Sequence, residues 1–341
     1  MPINHQPSFE PLTPTAFLER SANVYGDRIA VLDGDSRLTY RELHDRALRQ
    51  AGMLASLGVR PGDRVAVLAP NSRLMLESHF GVLYAGGVLL ALNVRLSVPE
   101  LQYIIDHSGA EVVLYDPDLL AVAEKLGGPA DSRRVQLVHG GAEYEQLLAV
   151  ATPLRVPVED ETALMALNYT SGTTGRPKGV MYHHRGAYLQ ALAMAKQVGL
   201  ELDSAYLWVL PMFHCNGWTF PWAVTLAGGT HVCLPRVDSA HIWHLIHDEG
   251  ITHFCAAPTV LINLVNDPAA KRVPGRAIEV SVGGAPPSPS LLERCEALGL
   301  HITHLYGLTE TFGPVMICDW QPAWDALSPE EQATRRARQG V

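Results

Sequence analysis

The sequence predicts an α/β fold with mainly parallel sheets flanked by helices. Short apolar runs alternate with longer segments whose apolar residues recur every three or four positions. This alternation favours βαβ units, in which parallel strands are covered by helices. The 341 residues leave room for two domains of about 150 residues each. An acidic, proline-containing stretch breaks the pattern near residue 160, so we assign residues 1–160 to a first α/β subdomain and 161–341 to a second.

Helix caps and short apolar runs support the first subdomain. Thr39 and Glu42 form a capping box for a helix that ends at Gly58, and Ser97 with Glu100 caps a later helix. Strands are expected at 64–68, 87–92 and 111–115, and a further helix at 74–84.

The same alternation continues in the second subdomain. Strands are expected at 163–169, 204–210, 252–256, 277–282 and 301–305, with helices at 186–198 and 240–249. On the second of these helices, His241, His244 and His247 lie opposite the apolar residues. This placement indicates a solvated face rather than a metal site.

Composition excludes several classes of function. The net charge is -9, with 26 Lys and Arg against 35 Asp and Glu, so the chain lacks the basic surplus that nucleic acids require. No apolar run approaches ~18 residues, the minimum for a membrane-spanning helix. Met1 to Glu10 has neither a basic nor an apolar signal region. The 5 cysteines have no CxxC spacing, which favours a reducing compartment. We expect a cytoplasmic protein without a nucleic-acid partner or a membrane span.

The strongest chemical signal is the segment from Tyr169 to Val180, which reads YTSGTTGRPKGV. It follows a predicted strand and precedes a helical pattern. Its glycines let the backbone approach a ligand closely, its hydroxyl groups can donate hydrogen bonds, and Lys178 supplies a positive charge. These features predict a phosphate-binding loop. The spacing matches neither the mononucleotide P-loop nor the dinucleotide GxGxxG pattern, and the alternative is a flexible surface loop of small residues.

This segment resembles the signature loop of the adenylate-forming superfamily, which includes acyl-CoA synthetases, firefly luciferase and peptide-synthetase adenylation domains. Residues 306–311, YGLTET, resemble the second nucleotide motif of that family. The resemblance implies that Tyr306 stacks on adenine, that Thr309 contacts the α-phosphate, and that Thr170 and Glu310 hold Mg²⁺. The ATP or AMP contacts that it implies are Thr170, Ser171, Gly172, Thr173, Thr174, Gly175, Lys178, Gly284, Ala285, Pro286, Tyr306, Gly307, Leu308, Thr309 and Glu310.

Two further segments follow predicted strands. Residues 283–287, GGAPP, lie at the strand end where open parallel sheets bind ligands, and the resemblance places Gly283 at the acyl pocket. A plain Gly-Pro turn is the alternative. Residues 211–218, PMFHCNGW, resemble a stretch of acyl-CoA synthetases that lines the acyl pocket, which assigns His214 and Trp218 to acyl binding. A core histidine beside a packed tryptophan is the alternative.

The resemblance implies an acyl-CoA synthetase whose fold consists of two interleaved α/β subdomains. Such an enzyme joins a carboxylic acid to ATP as an acyl-adenylate, releases pyrophosphate, and forms a thioester with coenzyme A. Lys178, Thr309, Glu310 and His214 are the expected catalytic residues. Trp218 favours an aliphatic acid, either a fatty acid or a short thioether acid. The alternatives are a non-catalytic nucleotide-binding module and an adenylation domain that loads a carrier protein. A homodimer is one assembly to be considered.

The pattern of the family continues beyond the last residue of the sequence. Family members carry a further β-rich subdomain with a ribose-binding aspartate and a mobile C-terminal domain with a catalytic lysine, and no segment before Val341 matches these. We therefore expect this chain to be an incomplete form. On its own it should bind nucleotide weakly and should not complete thioester synthesis.

Overall fold

The computed structural model describes residues 8–126, 136–170 and 175–340. The strands in these residues are β1 Ile29–Asp33, β2 Ser36–Thr39, β3 Arg64–Leu68, β4 Val88–Ala91, β5 Val112–Tyr115, β6 Gln136–His139, β7 Leu164–Thr170, β8 Lys178–His183, β9 Ala205–Leu207, β10 Thr230–Val232, β11 His253–Ala256, β12 Ile278–Val282, β13 Leu300–Leu308 and β14 Gly313–Ile317. The α-helices are α1 Thr15–Val24, α2 Tyr40–Ser56, α3 Arg73–Tyr84, α4 Val98–Ser108, α5 Leu120–Ala123, α6 Ala142–Val150, α7 His184–Gln197, α8 Cys215–Trp218, α9 Phe220–Ala227, α10 Ser239–Asp248, α11 Pro258–Asn266, α12 Pro289–Ala297 and α13 Pro329–Arg336. Short 3₁₀ helices occupy Pro117–Leu119, Thr309–Thr311 and Pro322–Ala326.

The strands form two interleaved sheets, which confirms the predicted fold class. One sheet has the order β14-β13-β12-β11-β9-β10-β1-β2 and the other β6-β5-β3-β4-β7-β8. Neighbours run parallel except in the pairs β1–β2, β7–β8 and β13–β14. Strand β1 pairs with β10 and strand β4 with β7, so each sheet takes strands from both sides of residue 160. The assignment of residues 1–160 and 161–341 to two α/β subdomains stays a prediction.

Apolar clusters cover both faces of the central strands of each sheet. On β3, Val65 and Val67 face a central core while Ala66 faces a second cluster that includes residues of α4. On the other sheet, Tyr206 faces the central core and Leu207 faces a cluster with residues of α10 to α13. Helices α1, α2, α3, α7 and α9 fill the space between the sheets. The result is five layers in the order helices, sheet, helices, sheet, helices.

Local sequence signals fix several boundaries. Strand β3 spans the predicted residues 64–68. The predicted capping box of α2 is confirmed, because the Thr39 hydroxyl accepts from the Glu42 N–H at 3.2 Å and the Glu42 carboxylate accepts from the Thr39 N–H at 2.7 Å. The same box, Ser97 with Glu100, begins α4. These caps satisfy N–H groups that lack partners within the helix.

The prediction that the phosphate loop enters a helix is wrong. Residues 178–183 form strand β8, which pairs antiparallel with β7, and α7 begins only at His184. Tyr182 of β8 is buried while Met181 is exposed, as expected for an edge strand with one face on the core. The loop therefore connects the two strands of a β-hairpin.

Two other sequence predictions concern helices. On α10, His241, His244 and His247 are exposed while Ile242 and Ile246 are buried, which confirms the predicted solvated face. In the described part of the chain, no helix has both the length and the apolar character needed to cross a membrane.

Three buried histidines make the stability of the fold sensitive to mild acid. Burial lowers the pKa of His79 and His184 to about 4 and that of His231 to about 3, from an ordinary value of 6.5. The folded state therefore binds these protons less readily than the unfolded state does. The free energy of unfolding therefore has its full value above pH 6.5. It decreases as the pH falls towards the pKa values that these histidines have in the folded state.

We expect the free energy of unfolding to fall between pH 6.5 and pH 5 by about 2 kcal/mol for each of these histidines, at 1.36 kcal/mol per pH unit. Urea unfolding at a series of pH values measures this loss. In the variant His231→Gln the loss of free energy of unfolding should be smaller by about 2 kcal/mol. In His244→Gln, on the exposed face, the dependence of the free energy of unfolding on pH should be unchanged. An equal slope in His231→Gln and the unaltered protein would contradict the assignment.

Candidate active site

The carboxyl ends of strands from both sheets open into a cavity of about 880 Å³. Strands β4 and β7 of one sheet and β13 of the other contribute to its walls. Open α/β sheets bind ligands at this edge. The predicted site residues that line the cavity are Thr170, Gly175, Lys178, His214, Trp218, Gly284, Ala285, Pro286, Tyr306, Gly307, Leu308, Thr309 and Glu310. The predicted contacts Ser171, Gly172, Thr173 and Thr174 lie outside the described residues.

The β7–β8 hairpin holds the two ends of the phosphate loop at one place. Its register sets Thr170 opposite Lys178, so the hydroxyl-bearing and lysine-bearing ends of the loop face each other. Gly175 has a φ of 151°, which side chains rarely adopt, and a Cβ there would meet no neighbouring atom within 4 Å. This conformation explains a glycine at the end of the loop.

Helix α4 contacts the loop from outside. The Tyr169 hydroxyl lies 2.8 Å from His107 Nδ1, and the guanidinium of Arg176 lies 5.4 Å from the centre of the Tyr103 ring. The Tyr103 hydroxyl donates to the Pro177 carbonyl at 3.4 Å. Both strand ends that carry the loop therefore rest on the same helix, and the sequence pattern of α4 gave no sign of this role.

The second nucleotide motif sits on the irregular β13–β14 pair. The register shifts between Tyr306 and Gly307, and a Cβ on Gly307 would lie 1.9 Å from the Gly313 carbonyl oxygen, so only glycine fits. The Tyr182 hydroxyl of β8 donates to the Thr309 carbonyl at 2.6 Å. This bond ties the second motif to the strand that begins with the lysine of the loop.

The segment after His214, which includes the short element α8, has a left-handed backbone, so α8 is a left-handed turn rather than a regular right-handed helix. The φ angles are 47° at Cys215, 42° at Asn216, 53° at Trp218 and 67° at Thr219, with Gly217 at 53°. Non-glycine residues in this region cost of order 1–3 kcal/mol each, so the surrounding structure must hold them there. We call residues 215–219 the left-handed turn.

The left-handed turn presents His214 and Trp218 to the cavity. Burial, with a smaller effect of Arg95, lowers the pKa of His214, so its imidazole is neutral at pH 7. Trp218 is 8% exposed and its ring packs on Gly283, where a Cβ would lie 2.6 Å from Trp218 Cη2. Gly283, predicted to contact the acyl group, thus lies behind the tryptophan ring, and its direct contact with an acid stays a prediction.

Several residues that line the cavity belong to none of the predicted motifs. They include Asn93, Leu96, Ile104, Asn168, His304 and Gln339. His304 Nδ1 lies 3.0 Å and 2.9 Å from the carbonyl oxygens of Ala337 and Arg338, so it donates to them and Nε2 is the ring's acceptor. His304 lies two residues before Tyr306 on β13. Because residues two apart in a strand share a face, the position of Tyr306 in the second motif is the signal that could have predicted His304.

The residues predicted to hold Mg²⁺ offer few ligands. Thr170 and Glu310 supply a hydroxyl and a carboxylate to the cavity. Across the described ranges, no group of three or more His, Cys, Asp and Glu side chains could hold a metal ion. This sparse oxygen set fits Mg²⁺, which commonly binds one or two carboxylates together with substrate phosphates and water.

Comparisons with known proteins agree with this arrangement. Residues 18–340 match the family described as AMP-binding enzyme. The chain is 40% identical to the peroxisomal acetate/butyrate–CoA ligase AAE7 of Arabidopsis thaliana and to 4-hydroxybutyrate–CoA ligase 2 of Metallosphaera sedula, over 98% and 97% of its own length. It spans 63% of the length of each. The inhibitor-bound N-terminal domain of FACL13 from Mycobacterium tuberculosis superimposes with a TM-score of 0.84 at 29% identity, over 90% of this chain and 78% of that one.

The contact between Gly283 and Trp218 generates a prediction. The variant Gly283→Ala should lower the free energy of unfolding by about 1–3 kcal/mol, because the added methyl group overpacks the tryptophan ring. In a Trp218→Ala background the same substitution should cost less than about 0.5 kcal/mol, and urea unfolding of the four proteins measures the coupling. An equal cost in both backgrounds would show that the ring is not what restricts Gly283.

Proposed function

Because this chain belongs to the AMP-binding enzyme family, we propose that its cavity joins a short aliphatic carboxylic acid to ATP as an acyl-adenylate with release of pyrophosphate. Coenzyme A would then convert the acyl-adenylate to a thioester with release of AMP. The observation that carries the proposal is the convergence of the loop ends, the GGAPP segment, the YGLTE motif and the left-handed turn on one cavity. Four segments that lie far apart in sequence supply a nucleotide side and an acid side to the same space.

We assign the nucleotide to the side of the cavity formed by Gly284, Ala285, Pro286 and Tyr306. The small residues leave space for a flat ring, and the Tyr306 ring can stack on it. His304 is an additional candidate contact, because it lines this side of the cavity two residues before Tyr306 on β13.

The phosphates would lie between Thr170, Lys178 and Thr309. Lys178 supplies the positive charge for the leaving pyrophosphate, and the hydroxyl groups can donate to the α-phosphate. When Mg²⁺ is bound with the nucleotide, Thr170 and Glu310 would hold it, and its charge would stabilise the phosphate oxygens.

The chemistry follows from positioning. A carboxylate oxygen of the acid forms a bond to the α-phosphorus, and the bond from that phosphorus to the bridging oxygen of pyrophosphate breaks. The attacking carboxylate is already ionised at pH 7, so no general base is required. Neutral His214 can donate a hydrogen bond that orients the carboxylate without pairing with it as a cation.

Two observations support a short acyl chain. Trp218 closes the space towards Gly283, which limits the depth available to an acyl chain. The two named relatives act, by their names, on acetate or butyrate and on 4-hydroxybutyrate. Both are coenzyme A ligases, which favours coenzyme A over a carrier protein as the acyl acceptor here. The cytoplasm is the proposed compartment, although the Arabidopsis relative is named peroxisomal, and a homodimer is a proposed assembly.

Isothermal titration calorimetry with ATP, with AMP and with butyryl-sulfamoyl-adenosine, a stable mimic of butyryl-adenylate, tests the proposed function. We expect the mimic to bind at least tenfold more tightly than AMP, because it engages both sides of the cavity. Absence of binding by all three compounds would refute the proposed function.

The variant Lys178→Ala should bind ATP about 10- to 150-fold more weakly, from the 1.5–3 kcal/mol of a hydrogen bond to a charged group. Its affinity for AMP should change less than threefold, because AMP lacks the phosphates that Lys178 would contact. Lys196→Ala, on the exposed end of α7, is the matched control and should behave like the unaltered protein. Equal weakening of ATP and AMP would remove Lys178 from the pyrophosphate site.

The variant Trp218→Ala should accept longer acids. Each newly buried methylene is worth about 0.8 kcal/mol, so affinity for acyl-sulfamoyl-adenosines should rise about fourfold per added carbon beyond butyryl until the pocket is filled. Affinity for AMP should be unchanged. Trp320→Ala, which removes a tryptophan packed on Arg336 away from the cavity, controls for the loss of an aromatic side chain. An unaltered chain-length profile in Trp218→Ala would make this residue part of the core only.

A further inference from the structure

We propose that Asn216 is a positioning residue, which acts through buried hydrogen bonds to Asn168 and His79. It holds the acid side of the cavity, formed by His214 and Trp218, at a fixed distance from the phosphate side, formed by Thr170, Lys178 and Thr309. The inference rests on the proposed function, because it concerns the same cavity. It assigns a role to three side chains that are not in the nucleotide motifs.

Asn216 is the second residue of the left-handed turn and is fully buried. Its own backbone N–H donates to Asn168 Oδ1 at 3.0 Å, and its side-chain oxygen accepts from Asn168 Nδ2 at 2.5 Å. Asn168 lies on β7, two residues before Thr170. The two amides thus form a reciprocal pair between the turn and the strand that leads into the phosphate loop.

His79 of α3 completes the set. Its Nδ1 lies 2.8 Å from the Met75 carbonyl oxygen, which can only accept, so Nδ1 carries the proton. The other ring nitrogen, Nε2, is then an acceptor, and it lies 3.2 Å from Asn216 Nδ2, which can only donate. Burial lowers the pKa of His79 to about 4, so the ring stays neutral at pH 7.

The three side chains are well shielded from solvent. Asn216 and His79 are 0% exposed and Asn168 is 2% exposed. In such an environment a polar group that loses its partner is left without water, so each bond depends on the next. Asn216 therefore cannot shift without breaking bonds to β7 and to α3.

The ends of the turn carry the acid side. His214 precedes it, Trp218 packs on Gly283, and the Cys215 sulfur lies 3.2 Å from Thr309 Oγ1 in the second nucleotide motif. Bond formation needs the carboxylate about 3–3.5 Å from the α-phosphorus, and a misplacement of 1 Å can cost a factor of ~100. Asn216 fixes this separation because it joins the turn to the strand of Thr170.

The test compares affinity for AMP with affinity for butyryl-sulfamoyl-adenosine. AMP needs only the nucleotide side, whereas the mimic must contact both sides at a fixed separation. Asn216→Gly removes the side chain yet tolerates the φ of 42° better than other residues do, so any loss reports on the amide rather than on backbone strain. We expect the mimic to bind about 30-fold more weakly to this variant and AMP to change less than threefold.

Substitutions at His79 provide the rescue. The variant His79→Gln places an amide oxygen near the position of Nε2 and should keep affinity for the mimic within about threefold, whereas His79→Leu lacks an acceptor and should behave like Asn216→Gly. His231→Leu is the matched control, because His231 is also 0% exposed and neutral but is bonded to Trp208 and Thr225 rather than to the turn. It should not change the ratio of the two affinities.

Two results would overturn the inference alone: an unchanged ratio in Asn216→Gly, or equal weakening of both ligands together with a lowered melting temperature, which a purely structural role would produce. If the unaltered protein binds neither AMP nor the mimic, the proposed function and this inference both fail. The unaltered protein thus tests the function, and the variants test the role of Asn216.

Discussion

The antiparallel pairing of β7 with β8 is the constraint on which the rest of the cavity depends. This pairing brings Thr170 and Lys178 face to face, although seven residues separate them in the sequence. Two side chains on these strands bond to other segments. The Tyr182 hydroxyl donates to the Thr309 carbonyl, and the Asn168 side-chain amide donates to Asn216 in the left-handed turn. The backbone hydrogen bonds of the β7–β8 pair therefore help to set the positions of two other segments, the second nucleotide motif and the left-handed turn. A loop held only by its own contacts could not do this.

The interleaving of the two sheets places the cavity where neither sheet alone could form it. Strands β4 and β7 supply one wall and β13 the other, and the central core of helices fixes the distance between them. Because each sheet takes strands from both sides of residue 160, the cavity needs both parts of the chain. Small-molecule sites commonly lie between such units, since a cleft between rigid layers can be precise in geometry while remaining open to ligands.

The sequence predicts well those elements whose signals are local. Strand β3 is buried on both faces and reads as a continuous apolar run, and the cap at Thr39 is a pattern of two residues. Strand β8 has no such signal, because a single fully buried residue, Tyr182, fixes its orientation and its pairing depends on β7. The left-handed turn is also beyond local reasoning. Its φ angles are imposed by Asn168 and by other distant contacts, and only Gly217 hints at them.

The polar set inside the core explains why such a strained turn is compatible with a stable protein. An apolar side chain at position 216 would cost no desolvation, yet it would remove the side-chain partner of Asn168 and leave Nε2 of His79 without a partner in a site closed to water. With the three side chains present, the donors and acceptors match in only one order. Asn168 donates to Asn216, Asn216 donates to His79, and His79 donates to the Met75 carbonyl. Apolar packing alone tolerates small displacements, whereas this order of donors and acceptors does not. Directional hydrogen bonds are thus placed where the proposed chemistry depends on a fixed separation, and apolar contacts fill the rest of the core.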